Sequence, residues 1–182
     1  DNLAGGAGAD TLRGGAGADT IDGGAGVDTA DYSASEAAVN IDLRRTGAQS
    51  GGDAQGDILT RIESVIGSNH NDTIIGSDGA DVLYGMDGND DVRAAYGNDT
   101  LDGGAGNDTL WGATGANLVL GGDGDDKLYG QGNNDTLVGG AGADLLDGGT
   151  GVDTASYEGS GSGVNVDLTR QGGGQTQSGG DA

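Results

Sequence analysis

Apolar side chains recur at every ninth position over most of this chain of 182 residues. Each one follows an Asp or Asn by two positions, and a glycine-rich stretch of six residues precedes that Asp or Asn. Nine residues are too few for a helical unit, and the many Gly, Asp and Asn residues would weaken any helix. The pattern instead predicts a tight turn followed by three or four residues of strand with one inward side chain. The predicted inward residues are Leu12, Ile21, Ala30, Ile74, Leu83, Val92, Leu101, Leu110, Val119, Leu128, Leu137, Leu146 and Ala155.

The repeating unit is G-G-x-G-x-D-x-U-x, where U is apolar; it is spelled GGAGADTLR at 5–13 and GGAGNDTLW at 103–111. A fixed short period indicates stacked coils and not a core built from distant segments. A turn plus a short strand reverses the chain, so two units form one coil of about 18 residues. Coils stacked at about 4.8 Å would place every strand in a parallel ladder, which predicts an all-β fold.

The turns have a chemistry that points to a hard cation. Because successive turns alternate between the two sides of the roll, Asp72 is expected to stack near Asp90, and Asp90 near Asp108. Carboxylates stacked about 5 Å apart repel one another, and the glycine carbonyls of the turns also need partners. Calcium takes six to eight carboxylate and carbonyl oxygens, whereas magnesium demands a near-ideal octahedron with retained water. Zinc and copper are disfavoured because the chain has no Cys and one His.

The charge supports the same interpretation. The formal net charge is −23, with 3% aromatic residues and 43 glycines, so the chain is not expected to collapse on its own. About nine calcium ions between stacked turns would offset most of this charge. We therefore expect calcium to be a folding cofactor. Extracellular modules bind calcium at roughly 10⁻⁴–10⁻³ M, so the chain is expected to stay unfolded in the cytosol and to fold outside the cell.

These nonapeptides resemble the RTX (repeats-in-toxin) family, which is known for this calcium-binding repeat. The resemblance implies a right-handed parallel β-roll, or β-solenoid, of 18-residue coils. It also implies export by a type I secretion system to the cell surface or the medium. The metal ligands that the resemblance implies are Asp10, Asp19, Asp28, Asp72, Asp81, Asp90, Asp99, Asp108, Asn117, Asp126, Asp135, Asp144 and Asp153. The carbonyls implied to complete the sites lie around Gly5, Gly14, Gly23, Gly76, Gly85, Gly103, Gly121, Gly139 and Gly148.

Several turns depart from the pattern. GSNHND at 67–72, AAYGND at 94–99, GATGAN at 112–117 and GQGNND at 130–135 lack some of the glycines. Asn117 keeps an oxygen that can ligate a metal but brings no charge. We expect weaker or empty sites at the turns that end in Asp72, Asp99 and Asn117.

The nine-residue periodicity, and the places where it is interrupted, divide the chain into segments. We predict a roll block at 1–30, a non-repeat β-rich insert at 31–66, a main roll block at 67–155 and the start of a second copy of the insert at 156–182. Within the insert, alternation of Val39, Ile41 and Leu43 with polar residues predicts a half-buried strand. The segment 26–45 recurs at 151–170, an offset of 125 residues, so a longer unit of roll plus insert repeats as well.

Three functional hypotheses remain open, and the third of them is direct binding of acidic polysaccharide through calcium bridges. The first is a non-enzymatic structural segment of an adhesin, filament or surface layer, with other copies of itself or cell-surface glycans as partners. The second is an accessory module of a secreted protease, lipase or polyuronate epimerase. Nucleic acid is disfavoured by the negative charge, and no apolar run is long enough to span a membrane. The single histidine, His70, and Trp111 are predicted to be surface residues and not parts of a catalytic or sugar-binding site.

Overall fold

The computed structural model describes residues 1–157, 159–160 and 176–178. Within them the chain forms short strands and one 3-10 helix, Gly52–Ala54. The strands are β1 (Asn2–Ala7), β2 (Thr11–Leu12), β3 (Thr20–Ala25), β4 (Thr29–Asp31), β5 (Asn40–Asp42), β6 (Ile58–Thr60), β7 (Ser64–Ile66), β8 (Thr73–Ile75), β9 (Val82–Asp87), β10 (Asp91–Arg93), β11 (Thr100–Ala105), β12 (Thr109–Trp111), β13 (Leu118–Asp123), β14 (Lys127–Tyr129), β15 (Thr136–Ala141), β16 (Leu145–Asp147), β17 (Thr154–Ser156) and β18 (Thr176–Ser178).

The strands stack into a β-solenoid. One face is a nine-stranded sheet in the order β18-β17-β15-β13-β11-β9-β7-β4-β2, and the other consists of a six-stranded sheet, β16-β14-β12-β10-β8-β5, and a three-stranded sheet, β1-β3-β6. All strand pairs in these sheets are parallel, and partners in the repeat blocks are 18 residues apart, as in Leu101 beside Val119. The predicted all-β solenoid of 18-residue coils is confirmed.

The core is a double column of the repeat's apolar residues. Ile74, Val92, Leu110 and Leu128 stack along one sheet and are fully buried, and the corresponding residues of the nine-stranded sheet close the core from the other side. Leu12 and Leu146 lie near the ends of the roll and are only partly buried against this cluster. The spacing of nine residues thus determines which side chain of each strand points inward.

Strand lengths differ from the expectation of three or four residues. Strands of six residues run on into the glycines of the turn in alternate units, so that Gly104 pairs with Gly122 and Ala105 with Asp123. The Ala105 carbonyl then accepts a hydrogen bond from Gly88 N–H at 2.8 Å. Some backbone carbonyls of each such turn therefore already accept a hydrogen bond from the neighbouring coil. Fewer carbonyls are left to bind a cation than the sequence suggested.

The segment 31–66 continues the solenoid. Strand β6 extends the ladder of β3, while β7 lies between β4 and β9. The predicted strand at 39–43 is present as β5, which pairs with β8. Residues 43–57 form the loop that holds the 3-10 helix. The predicted second copy of this segment, at 156–182, lies largely outside the described residues, and the proposed segment boundaries stay a prediction.

Candidate metal centre

The repeated Asp positions form two rows, one along each edge of the roll. A member of a row lies 18 residues from the next, at the point where a turn enters its strand. Asp10 and Asp144 are partly buried, and the other repeat positions are almost completely buried. The buried members are Asp19, Asp28, Asp72, Asp81, Asp90, Asp99, Asp108, Asn117, Asp126, Asp135 and Asp153. Such burial of ionisable groups is unusual unless they are paired or bind a metal.

One oxygen of most of these side chains continues the sheet ladder. The Asp72 N–H donates to Asp90 Oδ1 at 2.7 Å, and the Asp90 N–H donates to Asp108 Oδ1 at 2.8 Å. The same bond recurs along both rows, including Asp99 N–H to Asn117 Oδ1 at 3.0 Å. The side chain thereby satisfies a backbone donor of the preceding coil. Asp is therefore structural at this position as well as charged, which the sequence pattern did not reveal.

The other oxygen has no protein partner in most of these turns. Eight buried Oδ2 atoms accept no hydrogen bond: those of Asp10, Asp19, Asp28, Asp90, Asp99, Asp108, Asp126 and Asp135. A buried carboxylate oxygen without a partner costs several kcal/mol, roughly the desolvation penalty of a charge. Positive side chains do not compensate, since the arginine ion pairs of the described residues go to Asp22, Asp31, Asp42 and Asp91. None of these four acids is a repeat position.

In every one of these turns except that of Asp99, which begins with Ala94, the unpartnered oxygen lies beside the first glycine of the turn. A Cβ atom built on Gly103 would overlap Asp108 Oδ2 and lie 2.6 Å from the Gly121 carbonyl oxygen of the next coil. Gly121 has the corresponding neighbours, Asp126 Oδ2 and the Gly139 carbonyl oxygen. A carboxylate and a carbonyl oxygen from successive turns therefore converge where only glycine leaves room.

The electrostatics show how unfavourable the bare carboxylates are. The pKa of Asp90 is raised to about 7, mainly by burial; the hydrogen bond from Asp72 N–H opposes the shift, and the nearby carboxylates of Asp108 and Asp72 add to it. Burial likewise raises the pKa of Asp99 and Asp126 to about 6. A group in this position must gain a proton or a cation to be stable.

Three turns replace this arrangement with hydrogen bonds from residues of the same turn or to them. In the turn that ends in Asp72, Ser68 donates its N–H to Oδ2 and its hydroxyl to Oδ1 at 2.7 Å. In the next turn, Ser77 donates to Asp81 in the same way, with its N–H 2.6 Å from Oδ2. These serines replace the second glycine of the unit, and Asp81 was not expected to lie in an irregular site.

The third altered turn ends in Asn117. Its amide oxygen accepts the ladder bond from Asp99, and its Nδ2 donates to the Gly115 carbonyl at 3.3 Å. The turn therefore presents a donor where its neighbours present an unpartnered oxygen. The turn that ends in Asp99, which was expected to be weak as well, does contain an unpartnered Oδ2.

Sequence reasoning missed two members of the rows. Asp57 Oδ1 accepts the N–H of Asp19 at 2.8 Å, and Glu63 Oε2 accepts that of Asp28 at 3.0 Å. Both begin short strands with the repeat's spacing, in DILT at 57–60 and ESVI at 63–66. Glu63 lies nine residues before Asp72, so the spacing alone carried a signal.

A second side-chain ladder runs along the outside of the turns. It uses the residue just before the repeat Asp. Asn71 Oδ1 accepts the N–H of Asn89, and Asn89 Oδ1 accepts that of Asn107, at 2.8 and 2.7 Å. Asn98 and Asn134 make equivalent bonds to the backbone of the next coil. Amide side chains at this position thus hold successive turns in register without a metal.

His70 and Trp111, which were predicted to be surface residues, lie outside the interiors of the turns. His70 is exposed. Trp111 stacks on Tyr129, with ring centroids 4.0 Å apart and an interplanar angle of 14°, so a face of each ring is covered by the other. Tyr32 and Tyr157 are buried, and Tyr32 donates its hydroxyl to Asp57 Oδ2 at 3.0 Å. Burial of both side chains indicates that they pack against the end of a roll block.

The donor set fits calcium. Among the described residues, no three Asp, Glu or His side chains gather into a metal-binding cluster. A cation in these turns would therefore combine a carboxylate with carbonyl oxygens, the mixture that calcium prefers. No helix in the part of the chain that the structure describes is long and apolar enough to cross a membrane.

Comparison with known proteins agrees with this geometry. The model of the RTX calcium-binding nonapeptide repeat matches the chain in four copies, at residues 1–30, 66–95, 87–119 and 120–155. A search of curated proteins found no match. The matched repeats cover more than half of the chain and include all eight unpartnered carboxylate oxygens. The chain therefore belongs to the RTX family, and it is a β-roll of calcium-binding nonapeptide repeats.

Proposed function

We propose that this chain is a calcium-dependent structural segment of a secreted or cell-surface protein, such as an adhesin, filament or surface layer. It is exported unfolded, by a type I secretion system, and folds when it meets extracellular calcium. The observation that carries the proposal is the set of eight buried Oδ2 atoms without a hydrogen-bond partner. A low calcium concentration leaves these groups unpaired, and a high one supplies the cation that each site lacks.

The composition supports folding that depends on the ligand. With 43 glycines the unfolded chain has a large backbone entropy, and the buried apolar residue of each unit contributes only about 1.5–3 kcal/mol. Binding energy from several ions adds to the stability of the folded state alone, since the stacked turns do not exist in the unfolded chain. This coupling fits a protein that must stay unfolded during export.

The repeat of about 125 residues supports a structural role. Strands β4 and β17 occupy equivalent positions in the two copies of the GVDTA motif, and each is followed by a buried tyrosine, Tyr32 or Tyr157. An array of such units would form a long rod stiffened by calcium, with copies of itself or surface glycans as its partners. A catalytic domain in the full-length protein would instead favour the role of accessory module to a secreted enzyme.

Circular dichroism during a calcium titration tests the proposal. The strand signal should rise cooperatively between about 10⁻⁴ and 10⁻³ M calcium and should fall again after chelation. Magnesium at the same concentrations is the control and should produce a much smaller change. A spectrum in chelator that equals the spectrum in calcium would contradict the proposal.

A further inference from the structure

The middle of the roll satisfies its carboxylates without a cation. Asp57 accepts hydrogen bonds on both oxygens, from Asp19 N–H and from the Tyr32 hydroxyl. Asp72 accepts from Val39 N–H at 2.7 Å in addition to the two bonds from Ser68. In the following turn, Ser77 bonds both oxygens of Asp81. Side chains and backbone here perform the task that a metal would perform elsewhere.

The flanks of this region have the opposite character. The unpartnered Oδ2 atoms fall into two groups along the chain, one before the middle and one after it. The first group is Asp10, Asp19 and Asp28, and the second is Asp90, Asp99, Asp108, Asp126 and Asp135. No atom of this kind occurs between residues 29 and 89, all of which are described.

The same middle region also has a denser apolar core. A regular unit buries one large apolar side chain in nine residues, whereas residues 58–66 bury Leu59, Ile62 and Val65. Val39 and Ile41 of the preceding segment are buried in the same cluster. Fully burying such a side chain contributes about 1.5–3 kcal/mol, so this region gains more from apolar burial than any equal length of the flanks.

We propose that residues 39–83 form a metal-independent centre of the roll that separates two banks of calcium-binding turns. The inference rests on the proposed function, because it assumes that calcium stabilises the flanks. Strands of the centre pair with both flanks. On one side β6 and β7 pair with β3 and β4. On the other side β7 and β8 pair with β9 and β10. Folding in calcium therefore grows outward from the centre in both directions.

Hydrogen–deuterium exchange of the whole chain, followed by peptide mass spectrometry, tests the inference. In chelator, amides of β6, β7 and β8 should exchange at least about 100-fold more slowly than those of β11, β13 and β15. In calcium, all of these strands should be protected. Fast and uniform exchange in chelator would overturn the inference and leave the proposed function intact. Uniform protection in chelator would overturn the proposed function and the inference together.

Replacing the serines tests the physical cause. Ser77→Gly removes both the hydroxyl donor and the restriction on φ, and it turns 76–81 into GGDGAD, which matches the repeat. In chelator it should speed exchange in β8 by at least about tenfold, and in calcium it should regain protection. Ser68→Gly should act in the same way. Ser50→Gly, in the loop at 43–57, is the matched control and should change neither state.

The number of bound ions provides a second measurement. If serine occupies the place of a cation, Ser77→Gly should raise the calcium stoichiometry measured by equilibrium dialysis above that of the parent chain. An unchanged stoichiometry together with unchanged exchange in β8 would overturn the assignment of the serine turns. A variant that fails to fold would be recognised by the absence of a strand spectrum in calcium. In that case Ser77→Ala, which keeps the N–H donor but not the hydroxyl, should show a smaller change in β8 exchange in the same direction.

Discussion

In the regular turns, the repeat Asp has two separate tasks, one for each carboxylate oxygen. Oδ1 accepts a backbone N–H of the preceding coil, and Oδ2 faces the space beside the first glycine of its own turn. Asn117 shows that the two tasks are separable, since its amide oxygen keeps the ladder bond while its Nδ2 donates to a carbonyl. Asp to Asn and Asp to Ala substitutions should therefore have different effects.

At Asp108 this difference can be measured. Asp108→Asn should raise the calcium midpoint by about tenfold because an anionic ligand is lost. Asp108→Ala should do the same and, at saturating calcium, should lower the free energy of unfolding by a further ~1 kcal/mol, because Asp90 N–H loses its acceptor. Calcium titration and urea unfolding provide the two numbers.

Asp78 provides the control for this comparison. It lies at the third position of a turn, and its side chain is exposed. Asp78→Ala should leave the calcium midpoint within about twofold, since exposed charges interact weakly with their surroundings. If Asp78→Ala and Asp108→Ala weakened calcium binding equally, the assignment of Asp108 as a ligand would be wrong.

At the scale of the strand and turn, position within the unit decides the cost of a substitution. The residue two after the repeat Asp points into the core, and the residue one after it points outward. In β11 and β13 these positions are illustrated by Leu101, which is fully buried, and Leu118, which is 37% exposed. The two leucines lie in neighbouring strands of one sheet, so they form a matched pair.

Truncation of these leucines tests the register. Leu101→Ala should lower the free energy of unfolding in calcium by about 2–5 kcal/mol, because it removes buried apolar contacts and leaves a cavity. Leu118→Ala should change it by less than about 0.5 kcal/mol. Chemical denaturation at fixed calcium measures both values, and similar losses for the two variants would contradict the observed alternation.

At the scale of the whole molecule, the net charge is −23, and 12 of the 30 acidic side chains are the repeat Asp residues of the two stacked rows. The raised pKa values of Asp90, Asp99 and Asp126 mean that the folded roll without metal binds protons to these groups more tightly than the unfolded chain does. Their ordinary value is 3.8, and the folded values are about 6 to 7. Protons and calcium therefore compete for the same oxygens.

The pH dependence should change sign with calcium. In chelator, the three raised pKa values stabilise the fold at low pH, and this contribution is lost as pH rises from about 4 to about 7. In saturating calcium, the ionised form binds the metal, so stability should rise over the same interval. In chelator, the strand signal in circular dichroism at several pH values measures the folded fraction, and in calcium, thermal unfolding at the same pH values measures the stability. Parallel trends in chelator and in calcium would exclude this competition.

The sequence alone determined the coil and the ligand. The spacing of nine residues predicted Leu101, Leu110 and their equivalents as the core, because a strand exposes alternate side chains to opposite faces. The rows of Asp with glycine turns predicted calcium, because stacked carboxylates and carbonyls suit a hard cation. These features are local and repeat without change, so they can be recognised without knowing the partners of each residue.

Only the tertiary structure decided which carboxylates need a cation. Whether Ser68 and Ser77 satisfy an aspartate depends on where their donors lie in the folded turn. The membership of Asp57 and Glu63 in the rows depends on how 31–66 pairs with strands up to 38 residues away, as in Thr20 beside Ile58. Contacts between coils set these properties, because hydrogen bonds to a buried oxygen come from residues that a nine-residue period does not specify.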